Sequence, residues 1–382
     1  KEHVTPYMIR NTKGNKTFDL EPFFPELRCT MDTLDDYIKV SKAFYGEDTM
    51  NVSWIKLTKN MYDIRNSNAR ENLSKFCLGT VQFGLDYGIA NKVGKPSYED
   101  SIDLMTQAKE NGCSIFDTAL AYGNSEKIIG DFIQQTSSYD LKVISKLPSS
   151  KQLGFTENTD AIEDVCELNV LRSCRQLKKE KLDFYLLHDF ADIEAIDGKI
   201  WESLRNLRDK GLIENLGVSV YEPEEVIKAL DNEDISFIQL PFNILETRYT
   251  NSEFKDKIRR IRDDHSRELT IQVRSVYLQG LLVNDVKAPP NIEGYNHPTL
   301  LKKIDGLVDE LGRKNRQDLC LAYVRSQEWI DTIVLGMETK PQLDENLELF
   351  SQPLLNEDEV DMVYQSFLGM PDQLLNPSKW HE

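Results

Sequence analysis

The 382-residue sequence has no apolar run approaching the roughly 20 residues needed to span a bilayer. Its first residues, KEHVTPYMIRN, hold no apolar h-region, so neither a secretory signal nor a membrane partner is expected. They also lack an initiator methionine, and the chain reads as part of something longer. Basic residues are outnumbered: 46 Lys and Arg face 64 Asp and Glu, a formal charge of −18. Nucleic-acid binding needs a basic face, so that class of partner is excluded, while a local pocket for a dinucleotide stays compatible. Cysteine is scarce. Cys29, Cys77, Cys113, Cys166, Cys174 and Cys320 form no CxxC pair and sit mostly in apolar surroundings. The expectation is reduced, buried thiols in a cytoplasmic protein. No G-x-G-x-x-G follows the first strand of the regular part of the chain, which weakens an open doubly wound sheet for nucleotide binding.

What is present is a long alternation. Residues 1 to about 45 read as a small α+β piece, with LRCTMD as a short strand and Thr33 capping a helix from Leu34. It is too short to bury a core alone. RNSNAREN reads as a linker, placing a boundary near residue 70 and dividing the chain into segments 1–70 and 71–382. From there eight short apolar strands, each followed by a helical pattern, run from FCLGTVQFG to IDTIVLGM. Ser97 caps the first of these helices, whose first turn holds Glu99 and Asp100 and whose end is marked by Gly112. A long amphipathic helix is expected over 158–179, and Pro223 falls in the first turn of another. Eight such units fit a (β/α)8 TIM barrel, preceded by the small N-terminal extension.

The stretch IFDTALAYGNSE, residues 115–126, carries the chemistry. It reads as a strand ending in Asp117, a turn holding Tyr122 and a helix start. Lys146 and His188 fall at the ends of the next two strands, and in a barrel these ends line one face. A tyrosine, with an ordinary pKa near 10, is a poor proton donor at neutral pH. A lysine cation nearby would lower it, and an aspartate would hold that lysine charged. A histidine can hydrogen-bond a substrate oxygen or relay a proton. Singly, each residue has a plainer reading: a core-edge histidine, a solvated strand-end lysine, a helix-capping aspartate. Their joint placement makes a general acid for a carbonyl oxygen.

These motifs resemble the aldo-keto reductases over about residues 76–370. SIFDTALAYGNSEKIIG is similar to the family signature, VISK to its lysine strand, DFYLLH to its histidine strand, and IVLGMETKPQLDENL to its adenine-nucleotide segment. The resemblance implies a nicotinamide cofactor bound extended on a barrel and reduction of a carbonyl. By it, Tyr122 is general acid and base, Lys146 lowers its pKa, Asp117 pairs with Lys146, and His188 orients the carbonyl. Gly79 and Thr80 approach the cofactor by backbone, and Ser219 and Gln239 hold its carboxamide. Arg274, with Ser275 and Gly280 beyond it, stands where the family stacks an aromatic ring, and its guanidinium plane can stack instead. Val220 stands where the family often has Asn. The segment that usually holds a 2′-phosphate with Lys, Ser and Arg reads Gly336, Met337 and Gln342, with Glu338 nearby, while the adenine contacts Glu345 and Asn346 are kept. Without the resemblance, those last two are equally an ordinary solvated helix face. NADPH is the implied cofactor with NADH as the alternative, Lys340 being a candidate cation. No metal site is assigned.

EHVTPYMIRN and LRCTMDTLDDYIKV are similar to the end of cytidylyltransferases that activate acidic sugars, the CMP-Kdo and CMP-sialic acid synthetases, with Asp32 at a metal-binding position. An unrelated capping extension is the alternative. The resemblance implies the C-terminal part of a bifunctional protein, lacking the nucleotide-binding half. It also implies a reductase acting on a sugar carbonyl of bacterial surface-polysaccharide or nonulosonate synthesis. Homo-oligomerisation through the N-terminal segment is a separate possibility. Two other readings stay open: a non-catalytic NAD(P)H sensor or scaffold, and a residual transferase that would bind CTP with Mg²⁺.

Overall fold

The computed structural model describes residues 75–380, apart from 92, 157–160, 250–251, 264–266, 286–291 and 293–294. All of them belong to the second of the chain's two units, Leu73–Glu382. The N-terminal strand and helix expected before residue 70, with Thr33, Asp32 and Cys29, lie outside the described residues.

Eight parallel strands close into a barrel in sequence order: β1 (Phe76–Gly79), β2 (Ile115–Asp117), β3 (Lys142–Leu147), β4 (Leu182–Leu187), β5 (Ile213–Ser219), β6 (Phe237–Pro241), β7 (Thr270–Arg274) and β8 (Thr332–Gly336). The ring is shut by β1 against β8, with Phe76 opposite Ile333 and Gly79 opposite Gly336. Helices α1 (Tyr98–Glu110), α2 (Ser125–Thr136), α3 (Ile162–Leu177), α4 (Lys199–Asp209), α5 (Pro223–Asp231) and α6 (Ser252–Asp263) follow the first six strands. Then α7 (His297–Glu310) and α8 (Arg316–Arg325) follow β7, and α9 (Lys340–Ser351) and α10 (Glu357–Ser366) follow β8.

Local chemistry explains these boundaries. The Ser97 side chain accepts from the Asp100 backbone N–H, and Glu99 and Asp100 put negative charge at the α1 N-terminus. Pro223 opens α5, where its missing N–H has no partner to lose. The described part of the long amphipathic helix begins at Ile162 rather than 158.

Side chains alternate across each strand, so one set points into the barrel and the other toward the helices. The inward set begins with an apolar layer in which Cys77, Ile144, Leu186 and Phe237 are wholly buried. Two residues beyond Ile144 and Phe237 stand Lys146 and Gln239, two beyond the partly buried Ile115 stands Asp117, and Gln272 lies opposite Gln239 on β7. That step from apolar to polar is where the core ends and the site begins. The outward set, among them Phe116, Val143, Tyr185 and Leu187, packs with the helices in the main core. The five described cysteines are all buried and unpaired. No described helix is long and apolar enough to cross a membrane.

The C-terminal segment returns to the rim of the barrel. Lys379 Nζ and Asn376 Nδ2 donate to Glu222 Oε1 at 2.7 and 3.1 Å, and Arg248 bonds Glu222 Oε2 at 2.9 Å. Leu374 and Trp380 are buried in the core behind these contacts.

Candidate active site

The polar layer is organised by an ion pair. Lys146 Nζ, completely buried, donates to both Asp117 oxygens at 2.9 and 2.8 Å and to the Thr118 carbonyl at 2.8 Å. That uses every proton an ammonium has. Gln239 Nε2 donates to Asp117 Oδ2 at 2.7 Å and to Gln272 Oε1 at 2.6 Å, and Gln272 Nε2 passes on to Thr332. The carboxylate is thus pinned by groups from β3 and β6.

Tyr122 stands over this pair. Its ring centroid is 5.2 Å from Lys146 Nζ and 5.7 Å from the His188 ring, which meets it at 75°. The turn carrying it is set by backbone contact: a Cβ on Gly84 would fall 1.7 Å from the Tyr122 carbonyl oxygen, and one on Gly123 would fall 2.7 Å from the Gly84 oxygen. His188 follows β4, its N–H donating to the Leu147 carbonyl. Burial pushes the Tyr122 hydroxyl well above its ordinary pKa, the Asp117 charge adds to this, and the Arg274 cation opposes it. Burial, with the Lys146 and Arg274 cations, drives His188 down to about 3, so its ring is neutral at physiological pH. The sequence gives the lowering role to Lys146. Here Lys146 is compensated by Asp117, and Arg274 is the leading cation acting on Tyr122.

A cavity of about 330 Å³ opens above this layer, within the range of small-molecule sites. Every predicted site residue lines it except Lys146, which is buried behind Asp117. The wall at the β1–β8 closure is bare backbone. A Cβ on Gly79 would sit 2.9 Å from Val334 Cγ1, and one on Gly336 would sit 2.6 Å from the Gln82 amide. The Thr80 hydroxyl turns away to donate to the Asp117 carbonyl at 2.8 Å. The Gln82 Oε1 acceptor is buried there with no partner. Glycine backbone on one wall and an unanswered acceptor beside it suit close approach by a hydrogen-bonding ligand. The residues that the family resemblance gives to a dinucleotide all line this groove: Gly79, Thr80 and Gly336 along the β1–β8 joint, Ser219 and Gln239 at the inner end beside Asp117, and Glu345 and Asn346 of α9 at the outer end. Ser275 and Gly280 form the facing wall, both with positive φ (64° and 86°).

The outer end is acidic. Glu338 and Glu345 line it, and among the described lining residues Arg274 is the single Lys or Arg. Lys340, the candidate cation, pairs with Asp103 at 3.2 Å instead. Gln342 is committed to the α9 cap, its Oε1 accepting from the Glu338 and Thr339 N–H groups at 2.7 and 3.0 Å. Asn346 Oδ1 accepts from Tyr277 at 3.0 Å. Arg274 bonds the Val220 carbonyl at 3.0 Å and stacks 4.3 Å over the Tyr221 ring. Gln82, Tyr87 and Tyr221 also line the cavity and were not marked by the sequence. Gln82 sits in a segment that reads as continuous strand but turns helical at Val81–Gly84.

The sequence profile of the Aldo/keto reductase family matches residues 75–366. An aldo-keto reductase of Gibberella moniliformis is 26% identical over 192 residues, 48% of this chain and 55% of that protein. This chain therefore spans about half the length of that relative. The aldo-keto reductase YhdN of Bacillus subtilis is 23% identical over 310 residues, 76% of this chain and 88% of that one. Among solved structures, the aldo-keto reductase AKR11C1 from Bacillus halodurans, in its holo form, superposes with a TM-score of 0.60. It is 19% identical and covers 76% of this chain and 91% of that one, a likeness of fold.

Proposed function

The chain belongs to the aldo/keto reductase family, and we propose that it reduces the carbonyl of a small molecule using NADH, with Tyr122 as the proton donor. The buried Asp117–Lys146 pair under Tyr122, with His188 beside it on the cavity rim, is the observation that carries this reading. NADH, when bound, supplies a hydride to the carbonyl carbon. Burial keeps the Tyr122 hydroxyl protonated at neutral pH, so it holds a proton for the carbonyl oxygen. Neutral His188 offers that oxygen a hydrogen bond and fixes its direction. After transfer, the tyrosinate is stabilised by the Arg274 charge, while the Asp117–Lys146 pair keeps the floor rigid.

The choice of NADH over NADPH rests on charge. A 2′-phosphate needs cations, whereas a carboxylate suits a ribose hydroxyl. Glu338 and Glu345 supply carboxylates, while Lys340 is held by Asp103 and Lys314 by Glu348. A sugar as substrate draws support only from the resemblance of residues 1–45, and that segment, with any oligomerisation through it, lies outside the described residues. Buried, unpaired cysteines support the cytoplasmic assignment. The presence of Asp117, Tyr122, Lys146 and His188 together favours turnover over a sensor role.

Cofactor fluorescence titration and turnover of a carbonyl panel test the reading. NADH is expected to bind at least about tenfold tighter than NADPH. Tyr122→Phe is expected to bind NADH normally and lose about 10²- to 10⁴-fold in kcat. Tighter NADPH binding would reverse the cofactor assignment, and an unchanged kcat would remove Tyr122 from the chemistry.

A further inference from the structure

The one cation among the described lining residues of the cavity has no counter-charge. Asp117 and Lys146 neutralise each other, and His188 carries no charge at neutral pH. Arg274, half-buried on the cavity wall, forms no ion pair with any described carboxylate. It is nonetheless built into place. Its guanidinium lies 4.3 Å over the Tyr221 ring, and Nη2 is anchored on the Val220 carbonyl at 3.0 Å. The anchoring turn is itself fixed: the Tyr221 N–H donates to Glu225 Oε2 at 2.7 Å, and the neighbouring Glu222 is clamped by Arg248 and Lys379. One edge of the fork is used and the rest is left to the cavity. Tyr122, His188 and Tyr87 line the same space, and the Arg274 charge is felt at all three. A rigid, stacked, uncompensated guanidinium beside a proton donor is a recognition device for an anionic oxygen group.

Building on the carbonyl-reductase reading, we propose that Arg274, held by Tyr221 and the Val220 carbonyl, selects substrates that carry a carboxylate or phosphate close to the reacting carbonyl. This differs from the place the family resemblance gives Arg274, as a stacking surface for the cofactor. The charge of the cavity also separates the two ligands. Glu338 and Glu345 line the outer end, while at the inner end Asp117 is neutralised by Lys146 and Arg274 is left as a cation, so the anionic substituent belongs to the molecule bound next to Tyr122.

Matched substrates test this. Initial rates with NADH are compared for 4-oxobutanoate against methyl 4-oxobutanoate, and for glyceraldehyde 3-phosphate against glyceraldehyde. The first pair reads a carboxylate and the second a phosphate. At least one anionic member is expected to exceed its neutral partner about ten- to hundredfold in kcat/KM, mainly through KM. Arg274→Gln is expected to collapse that ratio toward one, and Arg274→Lys to keep part of it. A ratio near one in the wild type, or an unchanged ratio in Arg274→Gln, overturns the proposal. So does a loss of NADH affinity in Arg274→Gln with the ratio preserved, which assigns the guanidinium to the cofactor. Calorimetric titration of succinate, which cannot be reduced, reads the anion site without turnover. If no carbonyl is reduced but succinate binds the wild type and not Arg274→Gln, the anion site stands and the reductase reading falls. Succinate binding both proteins equally, or neither, removes the site. Thermal melts of the variants separate these outcomes from misfolding.

Discussion

His188 is neutral because of its neighbours. Burial and the Lys146 and Arg274 cations disfavour its imidazolium, and the pKa falls from 6.5 to about 3. The unfolded chain has no such penalty, so between about pH 3 and 6.5 it binds a proton that the folded chain does not. Stability therefore rises with pH across that window and is lost as pH falls through it. The expected outcome is a urea midpoint that drops from pH 7 to pH 5 in the wild type, with a smaller drop in His188→Asn. An equal drop in both assigns the acid sensitivity elsewhere. At this scale the sequence was informative about Asp117, Tyr122, Lys146 and His188, because strand ends can be counted along the chain. It marked Arg274 for stacking and Lys340 as a cation without showing what either one meets. Their partners, Tyr221 and Asp103, are set by packing between distant segments, and no local pattern encodes them.

Between elements, the turn that follows β2 is positioned by the short helical turn at Val81–Gly84 after β1. No side chain mediates the contact at Gly84, where backbone meets backbone. Gly84→Ala cannot be absorbed by a rotamer change, since the obstructing atom is the Tyr122 carbonyl oxygen. The turn must move, and Tyr122 with it. A cost of about 1–3 kcal/mol in stability is expected, as for overpacking a tight site. Catalysis should suffer more than NADH binding, because the groove is lined by other residues. Parallel measurement of kcat and NADH affinity checks this, and equal losses in both would mean that the contact serves the fold at large. The strand and helix series itself was legible, since apolar runs of four to seven residues between capped helices have few other uses. The helical turn at 81–84 was not, because VQFG continues the apolar character of β1.

For the whole molecule, the C-terminal segment is tied to the loops that follow β5 and β6. Trp380 and Leu374 are buried, and Lys379 reaches the Glu222 beside Tyr221. Trp380→Ala is expected to cost about 3–5 kcal/mol by emptying a core site. Urea unfolding measures it, and an unchanged midpoint would place the segment outside the cooperative unit. The net charge of −18 gave no hint of the cavity's inner cation. A global excess of one sign says little about a groove in which a single arginine forms no ion pair with any described carboxylate.

The closure of β1 on β8 has a consequence of its own. Gly79 and Gly336 are opposed across the joint where the first strand of the ring meets the last. A ligand lying over both glycines spans that joint from the outside, as a clasp spans the two ends of a bracelet. It recognises the folded ring and not the unfolded chain, so it stabilises the fold according to its concentration and affinity. With the cofactor placed as proposed, the same molecule that serves the reaction would also hold the barrel together.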